Sequence, residues 1–238
     1  MAPKGFARRK GTTNHGTSYE QKIAALLGVR CALRDDIEDM WMGTNIDGLG
    51  AFDDLVLFLQ KKSGSKEVYL IQIKYKKNRN INVSSSDNDL QKYQTSFLKI
   101  KEDFSNCTSP LIDCCAFQDT KFLLFTNTQI HASNNVTFSE YQNSNDFINT
   151  GKMFQIPYHA SANYDPDFLK QTLFYSNQVD VSRVQNIIKN ETDKYFLNCN
   201  VESIIKFFEN WHSEYFENKM ALEKEDIRSF MLETMLSN

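Results

Sequence analysis

The chain has 238 residues, 41% hydrophobic and 24% charged, with a formal net charge of −3. That composition excludes an intrinsically disordered or fibrous chain, and the length allows one large domain, or a domain with a helical appendage, around a real core. No window approaches the roughly 20 apolar residues of a membrane span, and "MAPKGFARRKGTTNHG" lacks the apolar stretch of a signal peptide, so the expected setting is intracellular, cytoplasm or nucleus, with no membrane partner.

Residues 1–16 hold Lys4, Arg8, Arg9 and Lys10 without an apolar period and read as a basic arm. From Thr17 the pairs Thr17/Glu20 and Ser18/Gln21 have capping-box spacing ahead of "IAALLGV", which predicts a helix ending near Gly28. "ALRDDIEDMWMG" and the Asp47-Gly48 pair then suggest a strand and a turn. "FDDLVLFLQ" and "EVYLIQIKY", joined by "KKSGSK", read as a hairpin whose mostly apolar strands belong to a sheet covered on both faces. After a polar loop, Leu90, Tyr93, Phe97, Ile100 and Phe104 recur at steps of three and four, the mark of an amphipathic helix. "KFLLFTN" and "MFQIPY" are further short strands. The last third reads as helical around Val184 to Ile188, Val201 to Phe208 and Ile227 to Met235. The expected division is a 1–16 arm, a 17–160 α/β core and a 161–238 helical extension or connector.

The five cysteines, Cys31, Cys107, Cys114, Cys115 and Cys199, are irregularly spaced, so free thiols are expected. Charge is uneven. Lys61, Lys62, Lys66, Lys74, Lys76, Lys77 and Arg79 crowd a stretch in which Glu67 is the sole acid, which fits a local polyanion site or a strand edge blunted by lysines.

Side chains alternate along a strand, so Gln72 and Lys74 share a face of "LIQIKYKK", opposite an aspartate of the neighbouring strand. A carboxylate and a neutral amide or carbonyl oxygen suit a hard divalent cation, and a lysine suits a phosphate or an attacking water. Each residue also has a plain structural role available. Glu20 sits where a capping box wants an acid, Gln72 suits a buried backbone partner, and Lys74 suits a sheet edge. Asp53 falls on the other strand face and reads as a turn residue. The four histidines form no spaced cluster, and Tyr75 and Tyr93 are weak candidates for contact with nucleic acid.

With Glu20 in "TSYEQKIAALLG", Asp54 in "FDDLVL" and Gln72-Ile73-Lys74 in "LIQIKYKK", residues 16–126 resemble the PD-(D/E)xK, or restriction-endonuclease-like, nuclease superfamily. Within it, "HGTSYEQKIAALL", the QxK variant and "FLLFTN" are most similar to nuclease effector domains fused to NACHT-type STAND proteins and those of bacterial antiphage systems. The resemblance implies an α-β-β-β-α-β core and a Mg²⁺- or Mn²⁺-dependent endonuclease, with DNA ahead of RNA as substrate. Asp54 and the Ile73 carbonyl would hold the metal, with Gln72 assisting and Glu20 contributing directly or through water. Lys74 would serve the attacking water or the phosphate, and Lys76, Lys77 and Arg79 the flanking backbone. Activation by assembly, as a homo-oligomer or through a fused or associated NACHT-type ATPase, with a role in immune or antiviral defence, is the regulatory expectation. No proline precedes Asp54, and Gln72 stands where the superfamily has an acid, which lowers the expected metal affinity. That substitution keeps a second expectation open: an inactive nuclease-like domain that binds nucleic acid or oligomerises.

Overall fold

The computed structural model describes residues 14–76, 80–82, 88–131, 137–143, 146–157, 164–195, 199–213 and 221–236. Helix α1 (Asn14–Leu33) leads into three strands, β1 (Ile37–Gly43), β2 (Leu55–Lys61) and β3 (Lys66–Lys74), which pair antiparallel in sequence. After β4 (Asn80–Asn82) and helix α2 (Asn88–Ser105), strand β5 (Thr120–Thr126) docks parallel to β3. Then follow β6 (Gln129–His131), β7 (Ser139–Glu140), β8 (Lys152–Gln155), α3 (Pro166–Gln171) and β9 (Thr172–Ser176). Helices α4 (Val181–Asp193) and α5 (Val201–Ser213), strand β10 (Ala221–Glu223) and helix α6 (Lys224–Leu236) complete the order. The main sheet is mixed and eight-stranded, ordered β10-β1-β2-β3-β5-β9-β8-β7, while β4 and β6 form a parallel pair of their own.

Both faces of the sheet are covered, as the apolar hairpin strands predict. Leu55, Leu57, Leu59, Ile71, Ile73 and Phe125 pack under α1, α4, α5 and α6. Val56, Phe58, Val68, Leu70 and Phe122 pack under α2 and α3. The five apolar positions expected on α2 are all buried, with Phe97 centred among the rings of Phe117, Phe122 and Phe168 at 4.8–5.5 Å. Asp165 caps α3 by accepting from the backbone N–H groups of Asp167 and Phe168, with Pro166 in the first turn, where a missing N–H costs nothing.

Two expectations change. Helix α1 opens at Asn14 and continues to Leu33, so Glu20 lies well inside it, away from any cap. Gly28 does not end the helix. It lets α1 approach its neighbours, since a Cβ there would sit 2.6 Å from the Phe208 ring and 2.9 Å from the Met42 sulfur. The helix is buried on nearly every side, from Ile23 and Leu26 to Val29, Cys31 and Ala32, because it lies between the sheet and the C-terminal helices. The last third is also more than helical. Strand β9 pairs parallel with β5 and β10 pairs antiparallel with β1, so this region contributes to the same sheet as the hairpin.

Candidate functional site

The β2–β3 register pairs Leu55 with Ile71, which places Asp54, one residue before β2, across from Gln72. Oδ2 of Asp54 accepts the Ile73 backbone N–H at 2.8 Å and also accepts from the Gln72 side-chain amide. Gln72 is 5% exposed and so spends its amide on a carboxylate rather than on water. Lys74, half-buried, follows Gln72 on the same strand face.

Helix α1 brings Glu20 to this end of the sheet. Its turn is pinned by Tyr19, whose hydroxyl donates to the Val179 carbonyl at 2.9 Å and whose ring lies 5.1 Å from that of Tyr75. On the other side, Gln21 donates to the Ser213 hydroxyl at 2.6 Å, and His212 places Nε2 3.8 Å from Oε2 of Glu20. Burial raises the Glu20 carboxyl to about 7, and the negative charges of Asp54 and Asp53 add to the rise while Lys74 opposes it. Asp54 is raised to about 6, again first by burial and also by Asp53. The Ile73 N–H, Lys74 and the Gln72 amide pull it down. Glu20, Asp53, Asp54 and Lys74 therefore share one electrostatic environment, with Gln72 bonded into it.

Lys76 is exposed, and its backbone is held by the Asn127 side chain, which accepts from the Lys76 N–H at 2.9 Å and donates to its carbonyl at 3.0 Å. This carboxamide prolongs the β3–β5 pairing past the end of both strands. Lys77 and Arg79 lie outside the described residues, as do the His15, His131 and His159 side chains. Tyr75 and Tyr93 serve packing, the first against Tyr19 and the second, 3% exposed, against Phe52 under α2. The basic stretch of the sequence does not form one surface. Lys61, Lys62 and Lys66 sit at the hairpin tip, roughly 26 Å from Lys74 at ~3.3 Å per strand residue, and Lys61 pairs with Glu67 at 3.0 Å.

Three neighbours escaped the sequence reading. Asp53, expected to serve only as a turn residue, is buried beside Glu20 and Asp54, and its carbonyl accepts the Asn45 N–H at 2.6 Å. The adjacent pair of aspartates was the available signal. His212 is 192 residues from Glu20, and Asn127 is 51 from Lys76, so no local pattern could have joined them.

Among the described residues, no group of three or more His, Cys, Asp and Glu side chains is arranged to hold a metal ion. The donors at this site are of another kind. They are Asp54, Glu20, the Gln72 amide and the Ile73 carbonyl, all offering hard oxygens, with two carboxyls whose pKa values are raised first by burial and further by neighbouring carboxylates. That set fits a divalent cation that keeps several waters, because such an ion needs few protein ligands and would offset the repulsion. No protein-family model matches the chain, and no curated protein is similar to it.

Proposed function

We propose that the chain is a metal-dependent endonuclease that hydrolyses nucleic-acid phosphodiester bonds, DNA ahead of RNA, on a restriction-endonuclease-like core. The observation that carries the reading is the meeting of Glu20 from α1, Asp54 at the entry to β2, and Gln72 and Lys74 from β3, at one end of the sheet. The order α1, β1-β2-β3, α2, β5, with helices on both faces, supports the α-β-β-β-α-β core that the sequence resemblance implies.

Mg²⁺ or Mn²⁺ held by Asp54, the Ile73 carbonyl, Gln72 and Glu20 would polarise the phosphate and lower the pKa of a bound water. Lys74 orients the attacking water or meets the charge that develops on the phosphate during in-line displacement. Burial around Asp54 and Glu20 keeps these groups in a low-dielectric setting, where a fixed cation acts more strongly. Lys76 engages the flanking backbone, with Lys77 and Arg79 assigned the same role from the sequence. Assembly, as a homo-oligomer or with a NACHT-type ATPase, is the proposed activator, and an intracellular defence role follows from that resemblance.

One observation favours a second reading. The Gln72 amide bonds to Asp54, the oxygen donor the metal would need, as in a site kept for structure in an inactive, nucleic-acid-binding domain. Cleavage of plasmid DNA, single-stranded DNA and RNA in Mg²⁺, Mn²⁺ or EDTA, over a range of protein concentrations, separates the two. Metal-dependent cleavage that steepens with protein concentration supports the regulated nuclease. DNA binding without cleavage in any metal at any concentration supports the second reading.

A further inference from the structure

A cavity of about 710 Å³ opens at the other end of the sheet, over the starts of β3, β5 and β9, beyond the C-terminal end of α1. Tyr69 on its floor is five residues from Lys74 along β3, roughly 17 Å at ~3.3 Å per residue, so this cavity is separate from the Asp54 site. Its volume lies within the range of small-molecule sites, about 300–1,000 Å³.

The chemistry of the lining is specific. Four cations, Arg34, Lys61, Lys121 and Lys170, face three carboxylates, Asp36, Glu67 and Asp146. Arg34 is matched by Asp36 through two hydrogen bonds at 2.8 Å. Asp146 is occupied by the Tyr175 hydroxyl at 2.6 Å and the Ile148 N–H at 2.8 Å. Lys61 and Lys121 share the single carboxylate of Glu67, at 3.0 and 3.6 Å, and Lys170 is exposed at the rim. The surplus is positive and suits a ligand of one or two negative charges.

Four carboxamides, Gln118, Asn143, Gln155 and Gln171, also line the cavity. The Gln171 side-chain oxygen is buried and has no hydrogen-bond partner among the described residues. A buried acceptor left unpaired is destabilising, and a turn of the Gln171 carboxamide toward the cavity would bring this oxygen a donor from a ligand. Carboxamides carry both donor and acceptor and match the edge of a heterocyclic base, while the exposed Tyr141 ring offers apolar surface for its face; the Phe147 ring is already covered by the Arg34 guanidinium at 5.3 Å. We infer that this cavity is a nucleotide site: the base lies among the carboxamides and Tyr141, and the phosphate reaches Lys121 and Lys170. A free mononucleotide and the terminal nucleotide of a strand share this chemistry. The inference does not depend on the hydrolytic reading of the Asp54 site.

The test is calorimetric titration of the full chain in EDTA, which keeps divalent cations from the Asp54 site. The ligands are the nucleoside 5′-monophosphates, the matching nucleosides, inorganic phosphate and a 5′-phosphorylated trinucleotide. At least one monophosphate is expected to bind saturably, with its nucleoside and phosphate alone each at least about tenfold weaker. Lys170→Ala should weaken the monophosphate by about tenfold, the loss of one charge-assisted hydrogen bond, and leave the nucleoside unchanged. Gln171→Leu should weaken both. Trinucleotide binding equal to the monophosphate assigns the pocket to strand ends, and much weaker binding assigns it to the free nucleotide. The proposal is overturned if no monophosphate binds at millimolar concentration. It is also overturned if binding is unmoved by both substitutions in proteins of unchanged circular dichroism, or is lost in Lys74→Ala.

Discussion

Glu20→Gln should make the metal-free protein more stable at alkaline pH. The carboxyl titrates near 4.5 in an open chain and near 7 in the fold, a difference worth about 3 kcal/mol at about 1.4 kcal/mol per pKa unit. With 21% of the side chain in water, screening reduces this to about 2–3 kcal/mol. Between the two values the folded state holds a proton that the unfolded state has released. Stability is therefore highest below the unfolded value, falls as pH rises, and carries the full penalty above about 7. The isosteric amide has no charge to bury. Thermal unfolding in EDTA at about pH 8 should show the variant melting about 5–10 °C higher, at 2–4 °C per kcal/mol for a chain of this size. At about pH 5 the two proteins should differ by less than about 1 kcal/mol. An equal offset at both pH values, or a variant less stable at pH 8, would refute the claim that this carboxylate is held in an unfavourable charged state.

Gln72→Glu adds a carboxylate beside Asp54; it should lower metal-free stability at alkaline pH, read by thermal unfolding in EDTA, and reduce the Mg²⁺ needed for half-maximal cleavage, read by metal titration. Asn127→Ala leaves the Lys76 N–H and carbonyl without their partner and should cost about 1–3 kcal/mol in urea unfolding. Gly28→Ala gains about 1 kcal/mol of helix propensity but drives a methyl against Phe208 and Met42, so denaturation should show a net loss of about 1–2 kcal/mol.

The parts of the fold that could be read from the sequence were those with strong local periods. Helix α2 announced its buried face, and the β2–β3 hairpin was bounded by polar "KKSGSK". Strands β9 and β10 are five and three residues long and abut helices, too short for a period to separate them from their surroundings. The extent of α1 was obscured because the helix is apolar on nearly every side and Gly28 looks like a stop, whereas its role is close packing. At the site, Asp54, Gln72 and Lys74 were legible because they lie within one hairpin, Asp54 at the entry to β2 and the other two on β3. The contribution of α5 through His212 was not, because it is made by tertiary packing across most of the chain.

Single-turnover cleavage of DNA by the wild type and Lys74→Ala, with DNA affinity measured on the same preparations, tests the central claim most directly. If Lys74 meets charge that develops only during reaction, its loss should slow cleavage by about 10²–10³-fold and leave affinity nearly unchanged. An unchanged cleavage rate, or a slowing fully explained by weaker binding, would contradict the placement of the reaction at the Asp54 and Lys74 end of the sheet.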